Sequence, residues 1–356
     1  MSKKKAIFFV GTDITAHLIL NGVVRKIMAE GTYEPVLYFP KNAYSKRADI
    51  EELRYFSFFD KTLLNEVVYP FIDDKPCLSA GNLSPQQLAE KYSLHVEIIE
   101  DVNDSLFINK LTENKDIGCA ISIRCTQLFG SEIVDAIKKT APFLNLHSGL
   151  LPEYRGVMPT IRRMFDIATG SADTSEYGCT LHKVEPFDPN ALHKGIDTGK
   201  IIEVKSIQLN PTHSGYLANV GLVAAGIDAL TNVLSQISGN YTLRGYPQNN
   251  DASAYYTFPT SEELKNWENA GIVLVRPDEA INTLVSSFSK ANSPHGTALT
   301  LALQSAIHQK YGQALTCQSG CACYVQRDVY KANPNAQPSL SSMGAGLTLW
   351  PRPRVA

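Results

Sequence analysis

"IGCAISIRCTQLFGSEIVDAIKKTAPFLNLH", residues 117–147, decides the fold. "IGCAISI" is an unbroken apolar run and reads as a strand buried on both faces. "GSEIVDAIKKT" places its apolar residues at amphipathic-helix spacing, and "FLNLH" returns to a short apolar strand. Strand, helix and strand in succession imply parallel pairing.

The alternation continues in both directions. Upstream, "AIFFVG" (Ala6 to Gly11) is β-rich and "TAHLILNGVVRKIMAE" is helical; "EPVLYF" is a second strand. Ser84 is the expected N-cap of "SPQQLAEKY", "HVEIIE" alternates like a strand, and "SLFINKLTENK" is helical. Downstream, "YGCTLHKV" alternates, "GIDTGKIIEVKSI" is a Gly-bounded turn entering a strand, and "SGYLANVGLVAAGIDALTNVLSQI" is one long helix with an apolar stripe. The fold class is α/β, a mostly parallel sheet covered on both faces. Ligands of such sheets sit beyond the carboxyl ends of the strands.

Composition changes near residue 240, which divides the chain into residues 1–240 and a C-terminal extension of mixed structure, 241–356. The extension holds "YYTFPTSEELKNW", a helical piece around Ala280 to Ser289, a helix through "GTALTLALQSAIHQKYG", and a Pro-rich tail expected to be mobile. The aromatics of "YYTFPTSEEL" are expected to pack on the first domain or on a second copy in a homodimer.

The 356 residues are 44% hydrophobic and 19% charged, which excludes a disordered chain. A net charge of −2 gives no overall footprint for nucleic acid or an acidic membrane. "MSKKKAIFFVG" is too short an apolar run for a signal peptide, and no segment is expected to reach the roughly 20 apolar residues of a membrane span. A cytoplasmic location is the expectation. Seven scattered cysteines suit reduced thiols, and "CQSGCAC" near the C-terminus lacks a second pair at zinc-finger spacing, so no metal is expected.

Asn145 and His147 are two apart on a strand and share a side at the ligand edge. Asp197 follows in "GIDTG", between glycines that permit a tight turn. An amide that donates to an oxyanion, an imidazole that moves a proton and a carboxylate that orients it form an acyl-transfer set. No Ser or Cys stands in a nucleophile elbow, and Ser148 is expected to face away, so direct transfer without a covalent intermediate is favoured. "GTDITAH" has too few glycines for a dinucleotide fingerprint.

"NLHSGLLPEYRG", "GCTLHKV" and "GIDTGKII", with "FFVGT" and "AISIRCTQLFGSEIVDAI", resemble the formyltransferase family that uses N10-formyltetrahydrofolate, over about residues 5–240. The resemblance implies a Rossmann-like formyltransferase fold with Asn145, His147 and Asp197 catalytic. It implies a folate pocket at Ile121, Ser122, Ile123, Arg124, Leu128, Gly195 and Ile196. Contacts to the acceptor are expected from Gly11, Thr12, Arg155, Gly156 and His193. The implied reaction carries formyl to a primary amine of a small molecule: a nucleotide-linked amino sugar first, an amino-acid or peptide-derived amine second. The alternatives are a methionyl-tRNA formyltransferase and a silent folate-binding module. Nine Lys/Arg against seven Asp/Glu from Tyr241 onward is a weak surplus for gripping tRNA, so nucleic acid is not the expected partner. "VEPFDPNALHKGIDTG" is longer than the family pattern; Val184 to Lys194 either shapes the acceptor mouth or is a surface insertion.

Overall fold

Apolar strands buried on both faces need helices above and below, and this chain supplies them in alternation. The computed structural model describes residues 3–41, 50–75, 81–113, 116–188, 190–191, 194–249, 252–290 and 292–312. The first half runs β1 (Lys5–Val10), α1 (Ile14–Glu30), β2 (Glu34–Pro40), α2 (Glu51–Ser57), π-helical turns at Phe58–Thr62 and Leu64–Val68, α3 (Tyr69–Asp74), α4 (Pro85–Tyr92), β3 (His95–Ile99), α5 (Ser105–Thr112), β4 (Ile117–Ile123), α6 (Ser131–Lys138) and β5 (Phe143–His147). Then come β6 (Arg155–Gly156), α7 (Pro159–Ala168), β7 (Glu176–Lys183), β8 (Ile201–Gln208), α8 (Gly215–Gly221), α9 (Val223–Ser238), β9 (Tyr255–Tyr256), α10 (Ser261–Asn269), α11 (Pro277–Phe288) and α12 (Pro294–Tyr311).

Seven strands form the main sheet in the order β3-β2-β1-β4-β5-β7-β8. β3 through β5 pair in parallel, and β7 and β8 join antiparallel. The carboxyl ends of β1, β4 and β5 therefore lie side by side, as the quoted βαβ unit requires. One face is covered by α1 and α9, which bring Leu20, Val23, Leu230 and Val233 onto Phe8, Ile121 and Leu146. The other is covered by α5 and α6, with Phe107 and Ile133 against an aromatic group of Phe9, Tyr38, Phe129 and Phe143. A further apolar core joins Ile14, Leu18 and Phe59 to Trp267, Leu284, Phe288 and Leu303, and so draws on both sides of residue 240. The short β6–β9 pair adds a backbone link, Arg155 to Tyr255 and Gly156 to Tyr256.

Two expectations need correction. The helix after Ser214 is not continuous: α8 ends at Leu222, whose amide reaches back to the Asn219 carbonyl. Its glycine, Gly221, leaves room for the Tyr177 ring, whose hydroxyl donates to the Ala218 carbonyl at 3.0 Å; a Cβ there would meet that hydroxyl at 2.5 Å. The 24 residues Gly215–Ser238 are also long and apolar enough by composition to cross a membrane, against the expectation that no segment is. They pack here as core: Ala225, Ala229, Leu230, Val233 and Leu234 face the sheet. Ser84 caps α4 in a full capping box with Gln87, as expected. Cys119 and Cys179 are buried free thiols and Cys125 is a half-buried one. The C-terminal cysteines and the Pro-rich tail lie outside the described residues.

Candidate active site

β5 carries Asn145 and His147 to the sheet edge on one side of the strand, and Asp197 comes to meet them from the turn before β8. Asp197 stands in the left-handed region, φ +54°, two residues after Gly195 at φ +86°. Gly195 packs so closely on the Pro186 carbonyl that a Cβ would lie 2.1 Å from its oxygen. The turn aims the carboxylate inward. Its Oδ2 accepts from the Gly156 amide at 2.9 Å and lies 3.5 Å from His147 Nδ1. Its Oδ1 lies 3.4 Å from Asn145 Nδ2 and 3.4 Å from His182 Nε2. The three residues singled out in the sequence thus converge within hydrogen-bonding reach of one volume.

His147 is fixed at its other nitrogen, where Nε2 donates to the Tyr154 carbonyl at 2.6 Å. That bond assigns the resting proton to Nε2 and leaves the Nδ1 lone pair on the Asp197 side. An adjacent carboxylate by itself raises an imidazole pKa. Burial outweighs it: desolvation lowers the His147 pKa despite Asp197 and the Tyr154 carbonyl, so the ring is neutral at neutral pH. Burial also works against ionised Asp197, yet His147, His182 and the Gly156 amide hold its carboxyl well below the usual carboxylate range.

Three further residues, not expected from the sequence, contact this set. His182 stands opposite Asn145 in the antiparallel β5–β7 register, on the same face; its Nε2 accepts from Asn145 Nδ2 at 3.1 Å while Nδ1 donates to the Lys183 carbonyl at 2.9 Å. "TLHK" was in view, but only the strand pairing shows which side chain it sets beside the amide. Gln248 Nε2 donates to the carbonyls of Asp197 at 2.7 Å and Gly199 at 2.9 Å, from beyond the sheet. Tyr154 supplies the carbonyl for His147, and its hydroxyl donates to Asp166 at 2.6 Å. No local sequence signal marks the last two.

Of the expected folate residues, Ile121, Ser122 and Ile123 are buried in β4, with both isoleucines in the core, so only their backbone can line a pocket. Arg124 ends the strand at φ +51° and is half-buried. Leu128, Gly195 and Ile196 are half-buried on the flanking loops. Of the expected acceptor residues, Gly11 packs against the Arg124 carbonyl, where a Cβ would sit at 2.2 Å. The Thr12 carbonyl accepts from Asn65 at 2.8 Å. Arg155 and Gly156 pair with β9, and His193 lies outside the described residues. Ser148, expected to face away, bonds Arg124 Nη1 through its hydroxyl at 2.6 Å. Among the described residues of the Val184–Lys194 stretch, Phe187 has a clear backbone contact outside it. The Phe187 amide donates to the Phe129 carbonyl at 3.1 Å, which sets the stretch against the loop read as folate-lining.

A family model described as formyl transferase matches residues 85–219. A methionyl-tRNA formyltransferase of Dictyoglomus thermophilum is 29% identical over 146 residues, 40% of this chain and 42% of that one. Another, of Blochmanniella pennsylvanica, is 28% identical over 210 residues, 58% of this chain and 59% of that one. The chain spans about half the length of the curated relatives it matches. The crystal structure of the N-formyltransferase of Helicobacter canadensis with folinic acid and dTDP-3-aminofucose aligns at a TM-score of 0.46 and 18% identity, covering 78% of this chain and 82% of that one.

Proposed function

We propose that this chain, whose residues 85–219 belong to the formyl transferase family, transfers a formyl group from N10-formyltetrahydrofolate to a primary amine. The carrying observation is the convergence of Asn145, His147 and Asp197. The formyl carbon enters between the Asn145 amide and His147. The neutral amine attacks it, and Asn145 Nδ2 turns from His182 to donate to the tetrahedral oxyanion. Nδ1 of His147 takes the amine proton. The imidazolium that results has an acceptor at each nitrogen, Asp197 at Nδ1 and the Tyr154 carbonyl at Nε2. Collapse of the intermediate breaks the bond to folate N10, and the proton returns to that nitrogen.

Folate fits the side flanked by the loops around Leu128 and Gly195, which Phe187 ties together through the Phe129 carbonyl. Shortening Val184–Lys194 is accordingly expected to weaken folate binding more than it raises the acceptor KM. The acceptor is a small-molecule amine. Transfer RNA, suggested by the names of the curated relatives, is disfavoured by the surplus of only two basic residues from Tyr241 onward. The test is two-substrate kinetics on an amine panel beside titration with 5-formyltetrahydrofolate. Folate binding together with amine-dependent release of tetrahydrofolate is expected; neither occurring removes the reading.

A further inference from the structure

Arg162, on α7, is a buried charge that the reaction itself does not touch; it is 7% exposed. Its planar fork is spread over three acceptors. Nε donates to the Val157 carbonyl at 3.3 Å, Nη2 to the Thr257 carbonyl at 2.8 Å, and Nη1 to Glu263 Oε1 at 3.0 Å. The guanidinium also lies 4.4 Å from the centroid of the Tyr256 ring and 5.4 Å from that of Trp267. Val157 directly follows β6, and Thr257 directly follows β9. One side chain thus fastens the same ends of both paired strands and ties them to α10.

The pair needs such a fastening. β6 and β9 have two residues each, and so short a ladder holds little by itself. Yet Gly156 of β6 carries the amide that donates to Asp197 Oδ2 at 2.9 Å. Tyr154, one residue before β6, carries the carbonyl that accepts from His147 Nε2 at 2.6 Å. The Tyr154 ring in turn stacks on Tyr256, with centroids 6.2 Å and planes 19° apart. Residues 154–156 therefore offer backbone groups to both the carboxylate and the imidazole, and Arg162 holds the frame on which those groups are mounted. Lysine has a point charge and no fork, so it cannot serve acceptors set in three directions. A cavity of about 200 Å³ adjoins the guanidinium, lined by Arg162, Tyr256, Glu263 and Trp267 and by the exposed Asn266, so a small solute can approach this place from solvent.

We propose that Arg162 is a positioning residue for Asp197 and His147: it clamps β6 to β9 and so fixes the Gly156 amide and the Tyr154 carbonyl that aim the two catalytic groups. The proposal rests on the formyl-transfer reading. It gives the segment after residue 240, which supplies Tyr256, Thr257, Glu263 and Trp267 to the clamp, a part in the reaction that needs no contact with the reacting atoms.

The test uses the full chain labelled with nitrogen-15 glycine, as wild type, Arg162→Lys and Arg162→Ala. In both variants the Gly156 amide should exchange with deuterium about tenfold or more faster, by NMR. The Gly11 amide, bonded to the Ile123 carbonyl at 2.9 Å at the end of β1, should keep its rate. Formyl transfer from N10-formyltetrahydrofolate to ethanolamine, glucosamine or glycinamide, whichever turns over fastest, should lose about tenfold or more in kcat, with both KM values within about twofold of wild type. Methylguanidinium should restore part of the kcat and part of the Gly156 protection in Arg162→Ala, by entering the space the truncation leaves. Should Arg162→Ala fail to fold, Arg162→Lys carries the test. The proposal is overturned if Gly156 stays protected, if kcat stays within about twofold, or if Gly11 loosens along with Gly156 under a lowered Tm; the last would make Arg162 a general support of the fold. Without turnover on any of the three amines the exchange rates decide alone. A wild type with neither 5-formyltetrahydrofolate binding nor transfer, and with Gly156 loosened in the variants, would keep the clamp and remove the formyl-transfer reading instead.

Discussion

His147, Asp60 and His17 are buried ionisable side chains whose protonation the fold sets by desolvation first. Burial lowers His147, so its free base is present at neutral pH, and the acid limb of activity should lie below the ordinary imidazole range. Above that limb, activity should follow deprotonation of the acceptor amine upward. His147→Ala should cost about 10²–10³ in kcat with an unchanged melting curve, measured by tetrahydrofolate release; near-normal turnover would remove its central role. Burial and Asp13 raise Asp60 from 3.8 to about 7. A folded pKa above the unfolded one adds stability at low pH that is lost as pH rises toward the folded value. Asp60→Asn should therefore stabilise the protein by roughly 1–3 kcal/mol at pH above 7, with the gain vanishing near pH 4, in urea unfolding at a series of pH values. His17 has the opposite sign: burial lowers it from 6.5 to about 4, and its contribution is lost as pH falls through that window.

The β6–β9 pair and Gln248 both hold the Asp197 loop. The β6–β9 pair presents the Gly156 amide to Asp197, and Gly156 has φ +91° with the Tyr256 carbonyl 2.1 Å from where a Cβ would be. Gly156→Ala should strain this backbone by roughly 1–3 kcal/mol and lower kcat along with Tm. Gln248 holds the Asp197 and Gly199 carbonyls. Gln248→Ala should lower kcat about tenfold or more through a displaced carboxylate, with smaller changes in either KM; an equal loss in both would show that the segment mainly shapes a binding pocket. Asn145, His147 and Asp197 were legible in the sequence because two share a strand face and one sits between glycines. His182, Tyr154 and Gln248 were not, because each acts through strand register or a backbone carbonyl that only the folded chain brings near.

All seven strands of the main sheet were legible as apolar or alternating runs, but the antiparallel joining of β7 and β8 was not, because no helix separates them and no local pattern fixes strand direction. The helical segment 51–74 with its π turns was not read: its Tyr and Phe side chains pack on α10, α11 and α12, far away in sequence, and so carry no local amphipathic signature. That shared core makes a prediction for the whole molecule. Truncation after residue 249 would remove Trp267, Leu284, Phe288 and Leu303, each worth about 1.5–3 kcal/mol when fully buried, against a total stability of about 5–15 kcal/mol. The truncated chain should lose its cooperative unfolding transition and bind a hydrophobic dye; a sharp native-like melt would show that the sheet stands alone. The central claim is formyl transfer by the β5 pair and Asp197. It is tested most directly by following a formyl carbon-13 label by NMR from N10-formyltetrahydrofolate to a panel of primary amines, with wild type and His147→Ala in parallel. The predicted result is an N-formyl resonance for at least one amine in the wild type, slowed about 10²–10³ in the variant. A label that stays on the folate with every amine, or moves equally fast in both proteins, would contradict it.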